Sequence, residues 1–544
     1  MTAVAADTAT KSQIKLPADS NQALGIARFA IDFLSDDAGK RGQPSAAVLE
    51  RANLFYTDAV LCGLSALALK TNAPTVLRDE ALQYPVTETT RLIGKAKRPG
   101  ATVFGSKAQV QPEKAIVANC SAVREWDSNG TNFGYNPELG HTAGEFGHND
   151  FYSVAIAAAQ MTGRDGAFAL RAMVLHDEIR GRLAEVFSLK TYKVDHVVHG
   201  AIASAAVFGA MLGATAEQIE SAIGMTVAHA IPFRAIRAGK QLSDSKGASA
   251  AISTEFAVLS VKRSMAGFLG PRDIFRNPEA IFRIFEGPGQ MFQKVGATTA
   301  NAKKADASPF DLVLSRAGDD FAVMGMHFKL GLYEHQSAGA LQAVIDLINK
   351  APNLLADKSG SKIAGIKITA YEPAFGIIGD PAKRNPTTRQ SADHSMVYIV
   401  ATLLRKALEA GKAGWTELML EPQDYHADAI NNPLTRKLME KIAFAHGGDE
   451  YDRNYPDGIP TSMVITDADG KTHDSGMVMY PAGHARNTTA DLKGILAHKF
   501  ALLGAIAQAD PKSLIARFEK LDAKSADQVR DLHDFSYTTH DGYE

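Results

Sequence analysis

The chain has 544 residues, 45% of them hydrophobic and 22% charged, an ordinary globular composition long enough for more than one packing unit. Lys and Arg number 58 against 60 Asp and Glu, a formal net charge of -2. No basic field therefore draws the chain to nucleic acid or anionic lipid, and any anion site must be a local cluster. The two cysteines, Cys62 and Cys120, sit among apolar or small residues, read as buried thiols, and are too few to ligate an iron–sulfur cluster.

Residues 1–21, MTAVAADTATKSQIKLPADSN, are small and polar and read as a flexible leader. They lack the apolar stretch of a secretory signal, and no later window approaches the roughly 18–20 unbroken apolar residues of a membrane span. With few cysteines, this points to a reducing compartment: the cytoplasm, or the mitochondrial matrix in a eukaryote.

From 22 to 326 the pattern is helical. NQALGIARFAIDFL and AFALRAMVLHDEIRGRLAEVF carry apolar residues three and four apart. In GATAEQIESAIG, Thr215 caps a helix start, Gln218 completes a capping box and Gly224 closes the end. AIASAAVFGAMLG is rich in small residues and suits a buried, closely packed helix.

Polar residues gather at several places along this part. The densest cluster spans 124–150, with Asp127, Thr131, His141, His148 and Asp150 among five glycines. It reads as a long loop presenting a carboxylate and imidazoles for proton transfer, or else as a solvated loop. The spacing of His141 and His148 does not match a helical metal pair, and no metal or other cofactor is expected. TYKVDHVVHG places Asp195, His196 and His199 at a helix start, where an imidazole either meets an anion or packs. PFRAIRAGKQLSDSKG holds Arg234, Arg237, Lys240 and Lys246, a set suited to a polycarboxylate or to a solvated basic loop.

Residues 327–486 read as a smaller α+β part. MHFKLGLYEHQSAG puts Lys329 and His335 at its junction with the helical part, and clefts between parts are the default place for small ligands. KIAGIKITAY alternates, with Ile366, Ile368 and Ala370 on one face. TSMVITD and KTHDSGMVMY flank the turn at 467–470 as a hairpin, and SMVYIVATLLRKAL and PLTRKLMEKIAFA read as helices. NPTTRQSADHSMVYIVA gathers Arg389, Asp393, His394 and Tyr398 near a helix entry, and YPAGHARN ends a strand with His484 and Arg486. Residues 487–544 return to helix and are expected to pack back on the first part. No nucleotide or flavin motif appears in a supporting context.

In chain order, EWDSNGT, HDEIRGRL, DHVVHGAIASAA, FRAIR, HFKLGLYEH, NPTTRQSADHS and YPAGHARN resemble the MmgE/PrpD family over most of the chain, with a lean towards its 2-methylcitrate dehydratase branch. The resemblance implies a mainly α fold with an inserted α+β lid, usually paired as a homodimer. It implies a lyase without a metal, removing water from 2-methylcitrate or a close tricarboxylate in propionate catabolism. A cis-aconitate decarboxylase of the same fold and a non-catalytic tricarboxylate-binding or scaffold protein are the alternatives.

Matched position by position, Asp127 and Thr131 fit the family's D-x-x-x-T, His196 its histidine before the small-residue helix, and Lys246 its lysine after the paired arginines. Lys329 and His335 fit the lysine and histidine at the lid junction. The chain departs from the family's G-H-P, having Gly140-His141 and Gly147-His148 with no proline after either, and it reads LYEH at the junction without a proline before the histidine. The resulting expectation gives Asp127, His148, His196 and His335 to catalysis. Thr131, His141, Arg234, Arg237, Lys246, Lys329 and Tyr398 are expected to hold the substrate.

Overall fold

The computed structural model describes residues 12–89, 92–132, 135–136, 147–237, 242–286 and 306–543. The fold is mainly α with a small α+β region. The helical layer comprises α1 (Gln22–Phe33), α2 (Ala46–Ala68), α3 (Asn72–Leu82), α4 (Pro112–Arg124), α5 (Ser153–Thr162), α6 (Gly166–Val186), α7 (Val197–Leu212), α8 (Ala216–His229) and α9 (Asp244–Met265). Its hub is α7, which touches α1, α5, α6, α8 and α9. Every residue of α7 except Ala210 is buried, because its glycines, alanines and serine let neighbours approach from all sides. Among the described residues no single helix is long and apolar enough to cross a membrane.

Two local expectations are corrected here. The stretch before Asn21 is not a leader throughout: Gln13–Leu16 is a strand, paired antiparallel with Leu312–Ser315. Its signal is four residues long, with Ile14 and Leu16 alternating with polar neighbours, too short to register as a period. Residues 1–11 lie outside the described residues.

The second correction concerns α8. Thr215 and Gln218 do form the capping box. Gly224, however, does not close the helix, which runs on to His229. The glycine serves a tertiary contact instead: a β-carbon at 224 would lie 1.8 Å from the carbonyl oxygen of Pro271.

In the α+β region, Ile363–Ala370 is an interior strand. Ile442–His446 pairs parallel on one side of it, and Thr461–Asp467 antiparallel on the other, followed by Thr472–Asp474 as an edge. Ile366, Ile368 and Ala370 are buried, as the alternation requires. Helix Ala338–Lys350 packs on Thr461–Asp467 and against helix Met396–Ala410. PLTRKLMEKIAFA is not one helix. It is a helix over Pro433–Met439 followed by the strand Ile442–His446. The switch is tertiary: the Lys441 carbonyl accepts from Ile366 N at 2.9 Å, drawing the chain onto the sheet. A short apolar run cannot be told from helix by period alone.

Helix Leu492–Ala507 returns to the helical layer and packs on α2. There the buried Lys499 ammonium lies 2.7 Å from the Asp58 carboxylate.

Gly224→Ala reverses the usual helix rule. Alanine at an interior helix position ordinarily gains about 1 kcal/mol over glycine. Here overpacking against Pro271 should cost about 1–3 kcal/mol. Denaturant unfolding reads the sign directly, and a variant as stable as the parent would refute the contact.

Candidate active site

The site grows from the end of α4. After Arg124 the chain turns, and Asp127 takes a left-handed backbone conformation, φ 51°, that non-glycine residues seldom adopt. Buried partners hold it there. The Lys329 ammonium donates to the Asp127 carbonyl at 2.6 Å and also to its carboxylate. Arg124 pairs with the same carboxylate. His394 Nε2 lies 3.2 Å from its second oxygen.

Downstream, Thr131 and His327 exchange backbone hydrogen bonds at 3.0 and 2.8 Å, and Ser128 Oγ donates to the Gly331 carbonyl at 2.6 Å. The stretches EWDSNGT and HFKLG, about 200 positions apart, are thereby laid side by side. Lys499 pins both, its ammonium donating to the Ser128 and Lys329 carbonyls at 2.7 and 2.8 Å.

A second buried knot lies beside the first. Lys246, in the first turn of α9, donates to both oxygens of Asp393 at 2.9 and 3.0 Å. His394 Nδ1 lies 2.5 Å from Asp393, so the imidazole stands between two carboxylates. A neutral imidazole has one N–H and can donate to only one of them. Burial first, then the Lys246 charge, push His394 down to about 4, against the pull of both carboxylates.

These elements surround a cavity of about 570 Å³. Its cations are Arg124, Arg234, Arg237 and Lys383; its acids are Asp127 and Glu334; its imidazoles are His196, His335 and His394. Among the described residues, Thr131, Gln336 and Ile378 also line it. The Thr131 hydroxyl is buried and has no hydrogen-bond partner among the described residues.

The cations divide into two kinds. Arg124 is engaged by Asp127, and Arg237 by Asp195 at 2.5 Å. Among the described residues the side chains of Arg234 and Lys383 make no ion pair or hydrogen bond with protein. Burial lowers the Lys383 ammonium, and nearby Glu334 opposes that shift.

His196, at the N-cap of α7, sits 3.5 Å from Asp195. Burial opposes ionisation of Asp195, but Arg237 prevails and holds its carboxyl below the usual range. Burial holds both His196 and His335 well below the ordinary imidazole range, the first with help from Arg237 and the second from Lys329. Glu334 is raised to about 7, chiefly by burial, with Lys329 opposing.

Of the residues singled out in sequence, the structure brings Asp127, Thr131, His196, Arg234, Arg237 and His335 to the cavity wall. Lys246 and Lys329 stand behind that wall, engaged by Asp393 and Asp127. Tyr398 does not reach the cavity. It lies in helix Met396–Ala410 with its hydroxyl donating to the Asp424 carbonyl, because the helix turns it into the interior of the α+β region. His141 lies outside the described residues. The backbone of His148 pairs with Thr131 in a two-residue ladder, and its side chain is outside the described set.

Sequence reasoning missed Arg124, Glu334, Gln336, Ile378 and Lys383 as wall residues, and named His394 without giving it a role. Glu334 stands inside HFKLGLYEH, and Arg124 and Gln336 adjoin recognised motifs, so their neighbours were the available signal. Ile378 and Lys383 carry none.

Comparison with known proteins gives the family. The MmgE/PrpD N-terminal domain matches residues 37–293 and the MmgE/PrpD C-terminal domain residues 335–517. The chain belongs to the MmgE/PrpD family. The 2-methylcitrate dehydratase of Escherichia coli K12 is 25% identical over 464 residues, 81% of this chain and 83% of the relative. The mitochondrial 2-methylcitrate dehydratase of Yarrowia lipolytica is 25% identical over 473 residues, 84% of this chain and 80% of the relative. An alkylcitrate dehydratase of a fungus is 24% identical over 324 residues, 58% of this chain and 57% of the relative.

Glu334 gives a pH signature. Its carboxyl is raised in the fold, to about 7 from 4.5, so the stability it contributes is complete below about 4.5 and is lost as pH rises to 7. Unfolding free energies of the parent minus those of Glu334→Gln should therefore fall across that window and level above it. A flat difference would place Glu334 in a solvated setting.

Proposed function

We propose that this protein is a hydro-lyase that removes water from 2-methylcitrate or a closely related tricarboxylate, with protein cations stabilising the charge that develops. The observation that carries the reading is the pair of unengaged cations, Arg234 and Lys383, facing a cavity whose other walls hold neutral imidazoles and a buried carboxylate. Relatives named as dehydratases across bacteria and fungi support it.

Dehydration of a β-hydroxy tricarboxylate breaks a C–H bond and a C–O bond. A base takes the carbon-bound proton, and the electron density moves towards an adjacent carboxylate. An acid then gives a proton to the departing hydroxyl, which leaves as water. Guanidinium and ammonium groups beside the carboxylates lower the barrier by meeting that density in a pocket withdrawn from water. Arg234 and Lys383 do this, joined by the cavity-facing edges of Arg124 and Arg237. Imidazoles held neutral at pH 7 are available to accept the proton, and His196 and the Asp127–His394 pair stand at the wall to do so. His335 gives the proton to the hydroxyl. Thr131 orients that hydroxyl, and Ile378, aliphatic among polar neighbours, meets the alkyl substituent of a methylated substrate.

Purified protein supplied with 2-methylcitrate, citrate or isocitrate should form a conjugated alkene that retains every carboxylate, read by ultraviolet absorbance and mass spectrometry, and cis-aconitate serves as the probe for decarboxylation. Carbon dioxide release from cis-aconitate would instead support the decarboxylase, and calorimetric binding without product would support a binding protein.

Arg234→Ala and Lys383→Ala should each raise KM about 10–100-fold, the loss of one charge-assisted contact worth about 1.5–3 kcal/mol. Their melting temperatures should stay near that of the parent, since neither side chain pairs with protein among the described residues. An unchanged KM in both would remove them from the substrate site.

A further inference from the structure

The catalytic cavity is not the only cavity that His335 reaches. Its Nε2 lies 3.0 Å from Nδ1 of His327. His327 lines a second cavity of about 720 Å³ together with His484, Asp320, Asp457 and Arg486. The two cavities share no described lining residue, and the described contact between their imidazoles is the His335–His327 hydrogen bond. His484 packs its ring 3.8 Å from that of His327, and its Nδ1 accepts from the Arg486 backbone at 3.1 Å, so the outer ring is held in place. The second cavity opens to water: the side chains of Asp320 and Arg486 are 53% and 48% exposed.

We propose that His335 and His327 form a proton relay that joins the catalytic cavity to solvent in the second cavity. The relay rests on the dehydratase reading in one respect, that His335 is the group that protonates the departing hydroxyl. The chemistry creates the need. A neutral imidazole that gives up its single N–H becomes an imidazolate, which is far too basic to form at neutral pH. It can act as an acid if its other nitrogen gains a proton as the first is lost.

The geometry supplies this. Water in the second cavity protonates His327 at Nε2, the His327 Nδ1–H passes to His335 Nε2, and the His335 Nδ1–H passes to the hydroxyl oxygen. As that O–H bond forms, the C–O bond breaks and its electron pair leaves with water. Each ring gains one proton and loses one, so both stay neutral and each exchanges one tautomer for the other. The proton taken from carbon by the base returns to solvent when product leaves. The reverse passage, or ring tautomer exchange through the same water, restores the start. Substrate can therefore fill the catalytic cavity without cutting His335 off from a proton source.

The test uses the full chain. His327→Gln should lower kcat at least tenfold with KM within about twofold, and a solvent deuterium isotope effect should appear or grow. In His327→Ala, added imidazole should restore kcat by occupying the vacated position. An unchanged kcat, or a loss that imidazole does not restore in a variant whose melting temperature is unchanged, overturns the relay.

A second readout does not depend on turnover. With tricarballylate bound, which has no hydroxyl to lose, the His335 ring N–H followed by nitrogen-15 NMR should still exchange with solvent in the parent and should slow in His327→Gln. Equal exchange in the two overturns the relay whether or not the parent is a dehydratase. Absence of turnover in the parent, with the exchange difference present, overturns the dehydratase reading and leaves the relay standing.

Discussion

A carboxylate withdrawn from water stays charged only where cations are brought to it, and the molecule is arranged around that requirement at Asp127. Arg124 reaches it from the end of α4, while Lys329 and His394 come from the segments that follow the helical layer. The exchange also runs the other way: Lys246, on α9, is matched by Asp393. Each region thus buries a charge that is balanced by the other. Neither set of residues is at its lowest free energy until the two regions are in register, and the candidate active-site cavity lies along that seam.

The same logic sorts the site into supports and working groups. Arg124, Lys246 and Lys329 are held by carboxylates and fix the positions of Asp127 and His394. Arg234 and Lys383 have no such partner among the described residues and are the cations the proposed reaction assigns to substrate. The imidazoles at the wall are neutral because burial outweighs the carboxylates near them, as with His394, whose two acidic neighbours do not lift it into the physiological range. In the proposed reaction, proton transfer and carboxylate binding fall to different side chains, a division that electrostatic catalysis favours because each can be placed without compromising the other.

How far the sequence disclosed this depends on the range of the interaction. Local signals were readable: the Thr215–Gln218 box, the alternation at Ile366, Ile368 and Ala370, and the small-residue helix after His196. The order of motifs disclosed the family, and with it Asp127, Thr131, His196 and His335. What depended on distant partners was not readable. Gly224 looks like a helix end, but it is the seat of the Pro271 carbonyl. Ile442–His446 reads as helix until the neighbouring strand claims it. Lys246 and Lys329 have the chemistry of substrate ligands, yet acidic partners about 150 and 200 positions away engage them first. Tyr398 points into the lid for a reason that appears only once Asp424 is in place. Ile378 and Lys383 come from stretches with no pattern at all, and only folding brings them to the wall.

Lys499 has a bearing on how the molecule is made. Its ammonium balances Asp58 deep in α2 and clasps the carbonyls of Ser128 and Lys329. A nascent chain that has emerged only as far as the lid carries α2 with a buried acid and no counter-charge, and an Asp127 turn with nothing to gather its backbone. Translation must pass residue 499 before those earlier segments can settle. The site is therefore among the last features to mature on the ribosome, although half of its wall residues precede residue 240.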